Sequence, residues 1–138
     1  MNTRTFALVW GVVFLLLGVS GFIPGLWHPA PDHFPPMKVT SYYGEAIMFP
    51  TNVLHNLAHL LFGVWGLLAS RRLSTAKTYA RVTAIAYGGL LIAGFIPGLN
   101  TMFGLVPLFG NDIWLHALLG GVAAYFGWMH RDVATDRS

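Results

Sequence analysis

Gly21-Phe22-Ile23-Pro24-Gly25-Leu26 recurs letter for letter as Gly94-Phe95-Ile96-Pro97-Gly98-Leu99. Each copy closes an apolar run. Each is followed, after a loop, by a second apolar run that opens on two ligand-type residues four apart: His55 and His59 in the first half, Asp112 and His116 in the second. The matched order predicts two copies of one helix–loop–helix unit, spanning 1–70 and 76–130 within a single domain over 1–138. Proline removes a backbone donor and the flanking glycines permit a left-handed turn, so the hexapeptide reads as a helix stop rather than a site.

Working outward, charge is scarce. Asp, Glu, Lys and Arg make up 9% of the chain and apolar residues 55%, against roughly 25% charged in soluble domains. No charged residue lies between Arg4 and Asp32, Glu45 and Arg71, Arg81 and Asp112, or Asp112 and Arg131. Each gap holds the roughly 17–20 apolar residues that cross hydrocarbon. Spans are therefore expected near 6–25, 52–70, 82–99 and 112–129. Runs of this length satisfy their backbone groups in lipid as helices. The expected fold is an all-α, integral membrane four-helix bundle.

The net charge of +3 does not point to nucleic acid, because the cations are segregated. Arg4, Arg71, Arg72, Lys77, Arg81, Arg131 and Arg137 fall on one side of a four-span topology and Lys38 alone on the other. The positive-inside rule then places both termini and the 71–81 loop in the cytoplasm, in a multi-pass protein of the inner (plasma) membrane. The first run is too long for a signal peptide and shares its ending with an internal span, so it is expected to be retained. Both halves run in the same direction, which makes the repeat parallel rather than inverted. Cysteine is absent, which excludes disulfides and thiolate metal sites.

The first outer loop carries Pro29, Pro31, Pro35 and Pro36, with Trp27, Tyr42 and Tyr43 suited to the headgroup interface. Glu45 precedes Ala46-Ile47-Met48-Phe49, expected as a short interfacial helix. The apolar second loop, 100–111, is expected to pack on the bundle or enter the interface. Gly63 and Gly120 lie one turn below His59 and His116. There they permit close helix packing or a flat porphyrin against the backbone.

Residues four apart share a helix face, so two facing helices would gather three imidazoles and a carboxylate. His55, His59, Asp112 and His116 thus form a candidate site near the outer face for Zn²⁺, Mn²⁺, Fe²⁺ or Cu²⁺. Two other readings stand beside it: haem with His59 and His116 as axial ligands, and a purely structural polar cluster. Asn56 and Glu45 are candidate outer partners, and His28 or His33 could complete the site from the loop. Asn52 and Asn111 read as helix caps. His130 stands alone at the far end, so a transmembrane electron relay lacks its second centre. No phosphate loop, His-Glu-x-x-His pair or nucleophile motif is present, so no catalytic residue is assigned and a non-enzymatic role is expected.

The segment Phe49–Leu67, with Asn52-x-x-His55-Asn56-x-x-His59-Leu60-Leu61-x-Gly63, and the segment Asn111-Asp112-x-Trp114-Leu115-His116-x-Leu118-Leu119-Gly120 occur in order. Together they resemble the two motifs of a bacterial family of small four-helix integral membrane proteins classified as a domain of unknown function. The resemblance covers about 5–130 and implies the four-helix membrane fold, with His55, His59 and His116 as the family's histidines, but no activity. The long proline-bearing loop departs from the family pattern. Alternatives to a ligand-binding protein are a non-catalytic accessory subunit of a larger membrane complex, its histidines structural or against a partner's pigment, and a small transporter or sensor. A homo-oligomer is compatible with each.

Overall fold

A computed structural model of the chain describes residues 1–133. Four helices form where the apolar runs lie: α1 (Thr3–Ser20), α2 (Val53–Ala69), α3 (Leu73–Gly94) and α4 (Asp112–Ala124), the last prolonged by one wider turn over Tyr125–Met129. Asn2 starts α1 by accepting from the Thr5 N–H at 2.8 Å. Both copies of the hexapeptide end a helix, α1 just before Gly21 and α3 at Gly94. Gly25 and Gly98, at equivalent positions, both have left-handed φ, 92° and 85°, which explains why glycine stands at each.

Two departures from the expected layout have clear causes. α3 begins at Leu73, well before the expected span at 82, so Lys77 and Arg81 are helical rather than in a loop. Lys and Arg are good helix formers, and a charge gap measures the apolar part of a helix rather than its whole length. Lys77 and Arg81 also cap the end of the last helix: Lys77 Nζ donates to His130 O at 2.8 Å and Arg81 Nε to Gly127 O at 2.9 Å. Arg137 lies outside the described residues.

The expected interfacial helix after Glu45 is instead a hairpin. β1 (Trp27–Pro29), β2 (Gly44–Ala46) and β3 (Phe49–Thr51) form an antiparallel three-stranded sheet in that order, with Glu45 opposite both His28 and Pro50. The turn at Ile47, φ 61°, and the close approach of Gly44 to the His28 carbonyl fix its geometry. Pro50 gives up no ladder bond that a central strand would need, because β3 is an edge. The second loop packs on the bundle as anticipated, through buried Pro107 and Leu108, after one tight turn at Leu99–Thr101. Gly104 O accepts from the Lys38 and Val39 N–H groups, joining the loop after α1 to the loop after α3.

α1 lies chiefly on α2, and α3 on α4. A Cβ on Gly11 would fall 2.9 Å from Gly63 O and 2.8 Å from Leu67 N, so these backbones touch. Gly120 occupies the same kind of contact, 3.3 Å from Gly88 N across α3/α4. The core between the α1/α2 and α3/α4 pairs holds Phe6, Phe14, Tyr79, Tyr87, Leu119 and Phe126. By length and composition α1 is the one described helix able to cross a membrane; α2 is equally apolar but has 17 residues.

Candidate metal centre

α2 opens on Asn52, whose side chain does cap the helix: Oδ1 accepts from the His55 N–H at 3.0 Å. Its Nδ2 donates to Leu105 O at 2.7 Å and Val39 O at 3.1 Å, so the cap is clamped by the loops that follow α1 and α3. Asn111 does not cap α4. It is already in a helical conformation, which turns its side chain away from the first amides. It donates instead to Met48 O at 2.9 Å and accepts from Trp114 Nε1 at 3.1 Å, tying α4 to the hairpin turn.

With both helix starts fixed, the side chains at i and i+4 converge. His55, His59 and His116 are buried, and each offers a ring nitrogen within 4.8 Å of the others. The His55 and His59 rings are 4.6 Å apart and those of His55 and His116 6.0 Å. Phe14 against His59 at 5.7 Å and Tyr87 against His116 at 5.2 Å form an aromatic floor.

Asp112 is fully buried and stands beside His55, Oδ2 being 3.5 Å from Nδ1, but outside the trio of mutually close nitrogens. The sequence pairing of His55 with Asp112 is therefore a spatial one, with the carboxylate placed next to one imidazole rather than among three. Asn56 is fully buried behind the trio and accepts from Thr51 Oγ1 at 2.5 Å. Gly21 leaves room for that amide, since any Cβ there would collide with it. Glu45, His28 and His33 sit in the sheet and loop, partly or fully exposed, and are not brought into the buried trio.

The cluster is rich in buried polar atoms without hydrogen-bond partners: His55 Nδ1, His59 Nε2, both nitrogens of His116, both oxygens of Asp112 and Asn56 Nδ2. Native interiors leave few such groups, each costing roughly 1–3 kcal/mol. They concentrate around three imidazoles that could together hold a metal ion. A crevice of about 10 Å³ opens beside it, lined among others by Ser20, Thr51, His55, His59 and Asp112.

Sequence reasoning missed Ser20 and Thr51. The signal for Ser20 was available: it is the one hydroxyl between Phe6 and Gly21, immediately ahead of the repeated hexapeptide. Thr83, buried on α3 with its hydroxyl unpartnered, was also missed; it shares a helix face with Tyr79 and Tyr87 at four-residue spacing.

No curated protein and no solved structure matches this chain. Residues 4–129 match the family model described as Domain of unknown function (DUF4383), and the chain belongs to that family.

Proposed function

We propose that this is a four-span inner-membrane protein that holds one divalent transition-metal ion near its outer face. The observation that carries the metal reading is the buried trio of His55, His59 and His116, with nitrogens mutually within 4.8 Å and no protein partner for most of them. Neutral imidazoles suit Zn²⁺, Cu²⁺ and Fe²⁺ better than Mn²⁺. Asp112, with Oδ2 3.5 Å from His55 Nδ1, is the carboxylate that stands beside the ligating histidines. Three protein nitrogens then leave a coordination position open, the arrangement of centres that bind a further small ligand.

Haem is a poorer fit. A flat cofactor needs a slot, and the spaces beside Gly63 and Gly120 are taken by Leu15 and by Tyr87 with Gly88. The crevice of about 10 Å³ accommodates an atom, not a macrocycle.

The membrane reading is supported by what the bundle turns outward. Leu16, Leu61, Ile85 and Leu118, one from each helix, are between 53% and 72% exposed. Apolar surface on all sides, around a core containing His, Asp and Asn, is the distribution expected of a protein solvated by lipid. The repeat is supported by matched contacts: Gly21 packs on Asn56 and Gly94 on Ile113, each one residue after the first ligand position of its partner helix.

The test is elemental analysis with an absorbance spectrum on gently purified protein. One equivalent of metal is expected, lost in the His59→Ala/His116→Ala double variant. Fully folded wild-type protein without metal would end the reading.

A further inference from the structure

The crevice beside the trio has a definite position and lining, and both restrict what can enter. It lies in the seam between α1, which contributes Leu17 and Ser20, and α4, which contributes Leu115. The outer sheet roofs it with buried Ala46, Pro50 and Thr51. Deeper in the seam Trp10 Nε1 donates to Leu119 O at 3.2 Å and closes the way down. The exposed residues next to Leu17 and Leu115 around their helices are apolar, Leu16 on α1 and Trp114 and Leu118 on α4. In a bilayer, the approach to the centre is therefore sideways, from hydrocarbon.

The oxygens facing the crevice are all acceptors. Ser20 spends its proton on Leu17 O at 2.7 Å, and Thr51 spends its proton on Asn56 Oδ1. Asp112 presents two carboxylate oxygens with no hydrogen-bond donor on either. A room of about 10 Å³ admits a single oxygen-sized head, roughly the volume one water requires. Acceptors around the head select one that carries a proton to donate, while a metal on the histidines selects an oxygen lone pair. A hydroxyl supplies both.

We infer that the centre receives, from the bilayer, an apolar-chain amphiphile with a hydroxyl head: the oxygen toward the histidine trio, the O–H toward Asp112, and the chain along the Leu17/Leu115 seam. The inference rests on the metal reading for the oxygen contact and for the charge on Asp112, but the seam stands without it.

The experiment uses the full chain in lipid nanodiscs with Co²⁺ in place of the native ion. The visible Co²⁺ bands are followed against 1-decanol, against 1-methoxydecane, which has a similar chain without the donor, and against methanol, which lacks the chain. A hydrogen bond to a carboxylate predicts that decanol acts at about tenfold lower concentration than the ether. Methanol should have no effect at matched concentration. Leu17→Trp, or Leu17→Phe if the larger ring prevents folding, should retain the Co²⁺ spectrum and lose the decanol response.

Equal responses to alcohol and ether, no response to either, or an undiminished response in the blocked variants overturns the inference while the metal reading stands. If Co²⁺ does not bind at all, the metal reading fails instead. The seam is then read directly by photolabelling with a diazirine-bearing decanol: labels on Leu17, Phe49 or Leu115 that decanol competes and the ether does not uphold the hydroxyl preference, and their absence overturns it.

Discussion

Each end of the bundle carries a buried or half-buried aspartate beside a histidine, and the two are treated in opposite ways. At the end where α1 begins, Asp132 accepts from the Thr3 N–H at 2.7 Å and the Thr3 hydroxyl at 2.6 Å. It also faces Lys77 Nζ at 3.3 Å and His130 Nε2 at 3.6 Å. At the other end Asp112 is more deeply buried, yet neither of its oxygens has a hydrogen-bond donor, and His55 Nδ1 is 3.5 Å away. A satisfied carboxylate is a fastener: it closes α1 against the segment after α4. An unsatisfied one, next to three imidazoles in the same condition, is half of an interaction. On the proposed metal reading, the contrast is that between a structural polar cluster and a binding one.

The largest expected effect comes from emptying the outer end. An ion present at a thousandfold over its dissociation constant stabilises the folded state by about 4 kcal/mol. For a chain of this size, chelation should lower Tm by on the order of 10 °C. The His59→Ala/His116→Ala variant should show no chelator-dependent shift at all. An equal Tm with and without chelator in the wild type would break the comparison, because both ends would then be structural.

Next is the exchange of each aspartate for its amide. Asp112→Asn removes the carboxylate beside His55 and should weaken metal affinity by about 10–100-fold, the usual cost of losing a carboxylate behind a ligating histidine. Asp132→Asn should leave affinity unchanged and lower Tm in metal-free protein. Competition titration against a chromophoric chelator, run beside thermal unfolding, reads both. Coupled losses in both variants would show that the two ends are not independent.

How far these ends were legible in the sequence follows from which signals are periodic. His55/His59 and Asp112/His116 stand out because a helix repeats every 3.6 residues and the hexapeptide marks which positions correspond. Their convergence follows from that period. The distinct place of Asp112 does not, since the distance of a carboxylate from three nitrogens depends on how two helices approach. The hairpin at 44–51 was illegible for a different reason: its strands have three residues each, too few for an alternation to be read, and their pairing is non-local. Lys77 and Arg81 were misread as loop markers because charge reports the edge of the hydrocarbon and not the end of a helix. Ser20, Thr51 and Thr83 are single hydroxyls in apolar runs, and only the folded arrangement shows what they face.

A smaller effect is expected from the fastener's donor. Thr3→Val removes the hydroxyl bond to Asp132 while keeping the backbone one, and hydrogen bonds to charged groups contribute about 1.5–3 kcal/mol. Because Lys77 remains beside the carboxylate, the loss should lie at the lower end of that range, with metal affinity unaltered. Unfolding of the metal-free protein measures it.

The smallest effect is a pH dependence at the same end. Partial burial alone would raise the Asp132 carboxyl, but the two Thr3 hydrogen bonds and the Lys77 ammonium outweigh it and hold the group below its ordinary value. A carboxyl lowered on folding contributes stability that is fully present above the unfolded-state value of roughly 3.9 and is lost as pH falls through it toward the folded-state value. Between pH 6 and pH 3, metal-free wild-type protein should therefore lose more Tm than Asp132→Asn, which has nothing to protonate at that position. The two proteins differ at no other position, so the comparison isolates Asp132. If the two proteins lose the same amount, charge on Asp132 is not what fastens the start of α1 to the segment after α4, and the fastening belongs to the neutral contacts of Thr3 and to the Lys77 bond with the His130 carbonyl.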